Sequence, residues 1–376
     1  MKKQRLLSKQ LYPGRLWISL SLLLVSSGRL LAYDVGGECY GKECIEKKKS
    51  VTFSYSVSPS DKVSLNNQFG DIKVNHWDRN EVKVDVVITA LGTSLERAEN
   101  YMSTVDVQGK KENGVVSIKT HISKEECTYN NNVWRWEKGE GKEDKNCLRI
   151  DYQVYMPKSN ALALKNSFGN TTIPSFTASL MIDQNYGTLT TEDIRNANAD
   201  VDVSFGKAIM RNMAGGKLKV SYSQLTADRI DDLEFTNSFG KLYLKEVGAI
   251  NAKISYSSGT IDKLTKSAKM RLEFSSGLKF GSVARSVKDL EISASYSPVV
   301  LAFENDTYEF DVKTNHSSFS YPKGETILFS KNSEDEARND KKYHYNPSKA
   351  FAGKIGKGSP TTRVVVNSTF SSVSFK

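Results

Sequence analysis

One aromatic residue, set among Ser, Asn and Gly, returns about every 18 residues through the second half of the chain: Phe168, Tyr186, Phe205, Tyr222, Phe239, Tyr256 and Phe274, with Tyr296 after a longer step. The local strings are NSFG, QNYG, VSFG, VSYS, NSFG, ISYS, EFSSG and ASYS. Each stands between short runs in which apolar and polar residues alternate, as in LALKNSFGNTTI and LEFTNSFGKLYL. A unit this short buries only one side of its strands, so neighbouring units must stack on it. The period predicts an all-β fold, a right-handed β-solenoid or β-helix of ~18-residue coils. Coils stacked at the strand-pairing distance of roughly 4.8 Å would make a prism on the order of 40 Å long. The fixed place of the rings predicts a stacked ladder in or beside the core, worth roughly 0.5–1.5 kcal/mol per pair beyond burial. The alternative is an exposed ring track for sugars. Phe and Tyr alternate through all these units, and nothing in the sequence says why.

Upstream, the pattern is β-rich with one short helix. VTFSYSV (51–57), VSLNNQFGDIKV (63–74) and EVKVDVVITAL (81–91) alternate as half-buried strands do, the second reading as strand, turn at Gly70-Asp71, strand. A helix is predicted from a capping Ser94, with Leu95, Ala98, Tyr101, Met102 and Val105 on one stripe. Glu112-Asn113-Gly114 between alternating runs predicts a hairpin. The resulting division is 1–32 signal peptide, 33–52 Cys/Lys-rich linker, and 53–160 β-rich module with an excursion at 123–147. Then come 161–330 solenoid repeats, 331–360 polar loop or insertion, and 361–376 closing strands whose STFSS echoes the repeat corner.

Residues 1–32 carry a basic start (Lys2, Lys3, Arg5, Lys9, Arg15), the apolar run LWISLSLLLV and small residues after it, the signature of a secretory signal peptide. The run is too short to span a bilayer, and Arg29 prevents its extension, so no transmembrane segment is expected after cleavage. The formal net charge of +10 includes six basic residues of this segment and falls to +4 without it. A concentrated basic face for nucleic acid is therefore not indicated. The four cysteines, Cys39, Cys44, Cys127 and Cys147, suit disulfides in an exported chain. Three connectivities are open, with the local pairs Cys39–Cys44 and Cys127–Cys147 favoured. The spacing lacks the close-paired ligands of a structural zinc site.

Enzyme signatures are nearly absent. Four histidines occur (His76, His121, His316, His344), with no H-E-x-x-H, G-x-S-x-G or P-loop, and no cofactor is expected. Asp183, Asp200 and Asp202 on successive coils, and Asp228, Asp231 and Asp232 nearby, are the carboxylates to check for sugar-cleaving chemistry. The recognition candidate is Trp134-Arg135-Trp136: on a strand the two indoles share a face, and Trp and Arg are favoured at binding hot spots.

The string FGDIKVNHWDRNEVKV, the helix after it, MPKSNALALKNSFG and the Gly-punctuated coils together resemble the bacterial putative-adhesin domain family. The resemblance spans roughly 55–376, apart from 123–147 and 331–356. It implies an exported, Bacteroidetes-type envelope protein with a β-solenoid and no catalytic residues to carry over. The expectation is a non-enzymatic adhesin, at the surface or in the periplasm, with a glycan or an envelope protein as partner. A periplasmic structural or stress-linked scaffold is the second reading, and a polysaccharide-acting enzyme the third.

Overall fold

The computed structural model describes residues 38–39, 42–43, 45–123, 127–130, 133–136, 147–304, 307–324, 326–332 and 347–376. Among them the protein is nearly all strand, in a long mixed sheet, with one helix, Leu95–Ser103. The repeat builds parallel coils of two strands each. Ala161–Ser167 pairs in parallel with Leu180–Asn185, that strand with Ala199–Ser204, and that one with Gly216–Ser221. The second strand of each coil pairs likewise, Thr171–Ile173 with Thr188–Ile194 and that with Lys207–Met213.

The register explains the core. Leu164, Ile182, Val201, Leu218, Phe235, Ala252, Met270 and Ile292 are successive partners across the ladder, and all are buried. Side chains alternate along a strand, so a parallel in-register stack sends each inward position onto its equivalent in the next coil. Burying each of the larger members contributes roughly 1.5–3 kcal/mol.

The first coil belongs to the N-terminal region. Lys62–Gln68 pairs in parallel with Ala161–Ser167, and Ile72–His76 with Thr171–Ile173. Gln68-Phe69-Gly70 is therefore a coil corner, where the sequence alone suggested an ordinary turn. The chain leaves the stack after His76, and described strands before Ala161 cap it. Val115–Ile122 covers the edge of Lys62–Gln68, and Cys147–Met156 covers Ile72–His76. Glu81–Gly92 pairs antiparallel with both Ile45–Ser56 and Cys147–Met156. Paired edges are closed to further strands. The helix starts as expected, with Arg97 N–H donating to Ser94 Oγ at 3.3 Å, and it buries Ala98 and Met102. The hairpin turn has Asn113 and Gly114 both at positive φ.

At the other end the chain order and the spatial order part. Arg363–Thr369 pairs in parallel with Asp289–Ser295 on one side and with Tyr308–Asn315 on the other. Val373–Phe375 lies likewise between Val299–Leu301 and Phe319–Ser320. The closing position expected for 361–376 thus goes to 308–320, backed by the antiparallel strands Ser348–Ile355 and Thr326–Asn332. The polar stretch expected as a loop at 331–360 contains Ser348–Ile355, whose Phe351 and Ile355 are buried. Its flanking charges obscured a short alternating run. Similarly Lys47, Lys48 and Lys49, expected in a linker, lie in Ile45–Ser56 opposite Ala90, Thr89 and Ile88. The signal-peptide segment, Cys44 and the side chains of Cys39, Cys127 and Cys147 lie outside the described residues.

Candidate functional site

The aromatic ladder runs along the outside of the stack. From Phe168 through Tyr186, Phe205, Tyr222, Phe239, Tyr256, Phe274 and Tyr296 to Phe370, neighbouring ring centroids are 4.6–5.0 Å apart and the planes within 11° of parallel. Phe69 precedes the series, and His316 closes it at 4.7 Å from Phe370. Every one of these residues has φ between 48° and 65°. That left-handed conformation costs a bulky L-residue on the order of 1 kcal/mol, and stacking on both neighbours offsets it. The left-handed corner throws the ring out of the coil. Tyr186 to Phe370 are accordingly 38–53% exposed, where a place in or beside the core was expected. Each ring gives its faces to its neighbours and only its edge to water. A sugar stacks on a ring face, and these rings spend their faces on one another.

Inside the corner the chemistry depends on the residue after the ring. Where it is Gly, the backbones meet: a Cβ at Gly169 would lie 1.8 Å from Gly70 O. At Gly70 and Gly169 a buried amide donates to the corner, with Asn166 Nδ2 3.1 Å from Gly70 O and Gln184 Nε2 2.7 Å from Gly169 O. Where it is Ser, the hydroxyl bonds other backbone groups of the corner. Ser275 Oγ donates to Glu273 O and accepts from Ser257 N–H, and Ser275 N–H donates to Ser297 Oγ at 2.9 Å. Ser297 N–H in turn donates to Ser371 Oγ. The contrast between NSFG and VSYS carries this rule in the sequence.

A cleft of about 1030 Å³ opens where the ladder begins. Its floor is the outward face of the cap strands, including Asp85, Val87, Thr89 and Leu91 from Glu81–Gly92, and Arg149, Asp151 and Gln153 from Cys147–Met156. Glu46 and Lys48 line one side, and Asp71, Lys73, Phe168, Asn170 and Thr188 the other. Arg149 spans two carboxylates, Nε 2.7 Å from Asp151 Oδ2 and Nη2 3.0 Å from Asp71 Oδ2. The hydrogen bond to Asp151, against the opposing effect of desolvation, raises the Arg149 pKa. Asp71 and Asn170 lock the corner: Asn170 N–H donates to Asp71 Oδ1 at 2.7 Å, and Thr188 N–H to Asn170 Oδ1 at 3.0 Å. Desolvation pushes the Asp85 carboxyl up, but hydrogen bonds from Lys83 and Thr52 outweigh it and hold the group below the usual range. Glu46 pairs with Lys48. Tyr152 turns inward, its hydroxyl 2.8 Å from Thr120 Oγ1, and burial raises its pKa. No single segment of sequence announces this cleft, because strands distant in the chain compose it.

The residues singled out by sequence fall elsewhere. Trp134, Arg135 and Trp136 lie on Val133–Trp136, paired antiparallel with Cys127–Asn130 so that Trp134 faces Tyr129 and Trp136 faces Cys127. Their side chains lie outside the described residues. Asp183 and Asp202 sit on the outer sheet face, ion-paired with Lys165 at 2.8 Å and Lys219 at 2.6 Å, and Asp200 projects from the same face. Asp231 pairs with Arg229.

No family model matches the chain, and no curated protein does. Among solved structures, it is similar to a putative adhesin from Bacteroides fragilis at 10% identity and a TM-score of 0.31, covering 87% of this chain and 97% of that one. A putative adhesin from Parabacteroides distasonis matches at 14% identity and TM-score 0.21, over 87% and 97% of the two chains. A putative lipid binding protein from the same species matches at 11% and 0.24, over 87% and 96%. At such values no activity transfers from those proteins to this chain. Among the described residues no helix is long and apolar enough to cross a membrane.

Proposed function

We propose that this chain is a non-enzymatic, exported envelope adhesin that holds a polar ligand, a glycan or a protein surface, in the cleft at the start of the ladder. The observation that carries this reading is the pairing of the cleft carboxylates. Asp71, Asp151, Asp85 and Glu46 each meet a Lys or Arg. Acid–base work on a glycoside needs carboxyl oxygens free to reach the bridging oxygen, and each of these is engaged in an ion pair. What the cleft offers instead is a set of positioned polar groups around the apolar Val87, Leu91 and Phe168, the mixture suited to orienting a ligand. The chain rejoins the sheet at Cys147, opposite Leu91 and beside this cleft, and the Trp134–Trp136 excursion is proposed as a second contact.

The stack behind the cleft is read as a right-handed β-solenoid, the hand that parallel crossovers take. It serves as a stiff stalk. Residues 1–32 are read as the export signal, and Cys39–Cys44 and Cys127–Cys147 as local staples. A periplasmic scaffold is the second reading. It is favoured by the edge strand Thr326–Asn332, where Ile327 and Phe329 are 58% and 66% exposed, an arrangement suited to a protein partner. Protease shaving of intact host cells separates the two. Digestion without lysis is expected for the adhesin, and protection until the outer membrane is breached would overturn it.

A further inference from the structure

The two strands of each coil present different charge to solvent. Across the first strands, acids and bases on neighbouring coils neutralise one another: Lys165 pairs with Asp183, Lys219 with Asp202, and Lys269 with Glu291. Across the second strands, the two rows of outward positions that follow the ring carry cations and no acid. Thr172, Thr190, Ile209, Thr226, Tyr243 and Thr260 succeed one another in register, with Lys73 before them and Lys279 after. In the adjoining row Lys207 and Lys241 flank Gln224. Lys73, Lys207, Lys241 and Lys279 are exposed, and among the described residues none of their ammonium groups has an ion pair or a hydrogen bond. Farther along the same strands charge is matched again, Arg211 with Asp193 and Arg229 with Glu246. Tyr243 and Ile209 are exposed in the same row. Unlike the ladder rings, Tyr243 has no ring stacked on it among the described residues.

We propose that this face is the track of a linear acidic polysaccharide, which leaves the cleft at Lys73 and runs along the stack, across the strands, to Lys279. The track rests on the adhesin reading and extends the site beyond the cleft. The lysines take carboxylates in charge-assisted bonds. The threonine hydroxyls meet sugar hydroxyls, and the open face of Tyr243 takes a sugar ring. Lys207 and Lys241 stand two strand spacings apart, roughly 9.6 Å, which suits acid groups set at intervals along a sugar chain. Duplex DNA carries a charge about every 1.7 Å, and a nucleic-acid site gathers its cations more densely than this. A protein interface has an apolar core, and these rows offer only Ile209 and Tyr243 for one. Lys73 and Lys279 are seven strand spacings apart, roughly 34 Å, so only a long chain meets all of the lysines.

The test is binding of fluorescent hyaluronan and polygalacturonate to the protein, each as the long polymer and as its tetrasaccharide. The variants are Lys207→Gln/Lys241→Gln and Tyr243→Ala. These residues lie outside the cleft and outside the core, so both variants are expected to keep the circular dichroism spectrum of the wild type. At least one polymer is expected to bind, more tightly than its tetrasaccharide and more weakly as salt rises. Each variant is expected to lose about tenfold in affinity for the long polymer. Binding of neither polymer, or a Lys207→Gln/Lys241→Gln variant that binds as the wild type does, would overturn the proposal. Single-stranded DNA that binds as tightly as the better polymer would also overturn it, by making the lysines a nucleic-acid site. A neutral glycan or a protein held through Lys73 and Gln153, with no effect of substitutions at Lys207, Lys241 and Tyr243, would overturn the track and leave the adhesin reading standing.

Discussion

Phe370 stacks on Tyr296, with centroids 5.0 Å apart and planes 11° from parallel, although all of 297–369 lies between them in the chain. The alternation of Tyr and Phe therefore continues in space across a break in chain order. Phe370→Ala removes two ring stacks and is expected to lower unfolding stability by about 1–3 kcal/mol. Phe370→Gly should cost less, because Gly relieves the left-handed backbone. Denaturant midpoints of the two variants check this. Equal midpoints for wild type and Phe370→Ala would make the ladder an ornament.

The serine corners hold the backbone where glycine is absent. Ser275 is fully buried and bonded on both sides. Ser275→Ala strands the Ser257 N–H without its acceptor, and a loss of about 1–3 kcal/mol is expected. At Gly169 the neighbouring backbone leaves no room for a Cβ, so Gly169→Ala is expected to cost at least as much as Ser275→Ala. Thermal denaturation of both variants tests the pair.

His76 supplies a pH dependence. Its ring packs 5.2 Å from Phe176, and its buried Nε2 has no hydrogen-bond partner. Burial first, and Lys158 second, hold its pKa below the ordinary histidine value of 6.5. The folded state thus binds this proton less readily than the unfolded state. The associated stability is fully present above about pH 6.5 and is lost as pH falls through the lowered folded value. His76→Phe, which keeps the ring contact, is expected to flatten the stability profile below pH 6.5. An unchanged profile in chemical denaturation would assign the slope to other groups.

The coils from Phe168 to Tyr296 were legible because each carries its own corner and comes directly after the last in the chain. Phe69 marks a corner less plainly, although NNQFGDIKV aligns with KNSFGNTTI position by position. The intervening 77–160 hid the repeat, since the pairing of Leu65 with Leu164 is a non-local fact. The place of Phe370 was hidden for the same reason: a parallel rung carries no local mark of its neighbours. Burial along each strand matched its alternation, as at Leu180, Ile182 and Gln184. The cleft had no signature, because Lys48, Lys73 and Arg149 come together only once three strands are in place.

Lys73 is exposed and sits opposite Gln153 in register on the cleft wall, so replacing both by Ala tests the site with little risk to the core. The most direct measurement is binding of the labelled chain lacking residues 1–32 to a glycan and extracellular-matrix array, alongside the Lys73→Ala/Gln153→Ala variant. An adhesin with its site in this cleft is expected to bind at least one class of ligand, with a tenfold or greater loss in the variant at unchanged folding. A wild type that binds nothing, or a variant that binds equally well, would contradict it.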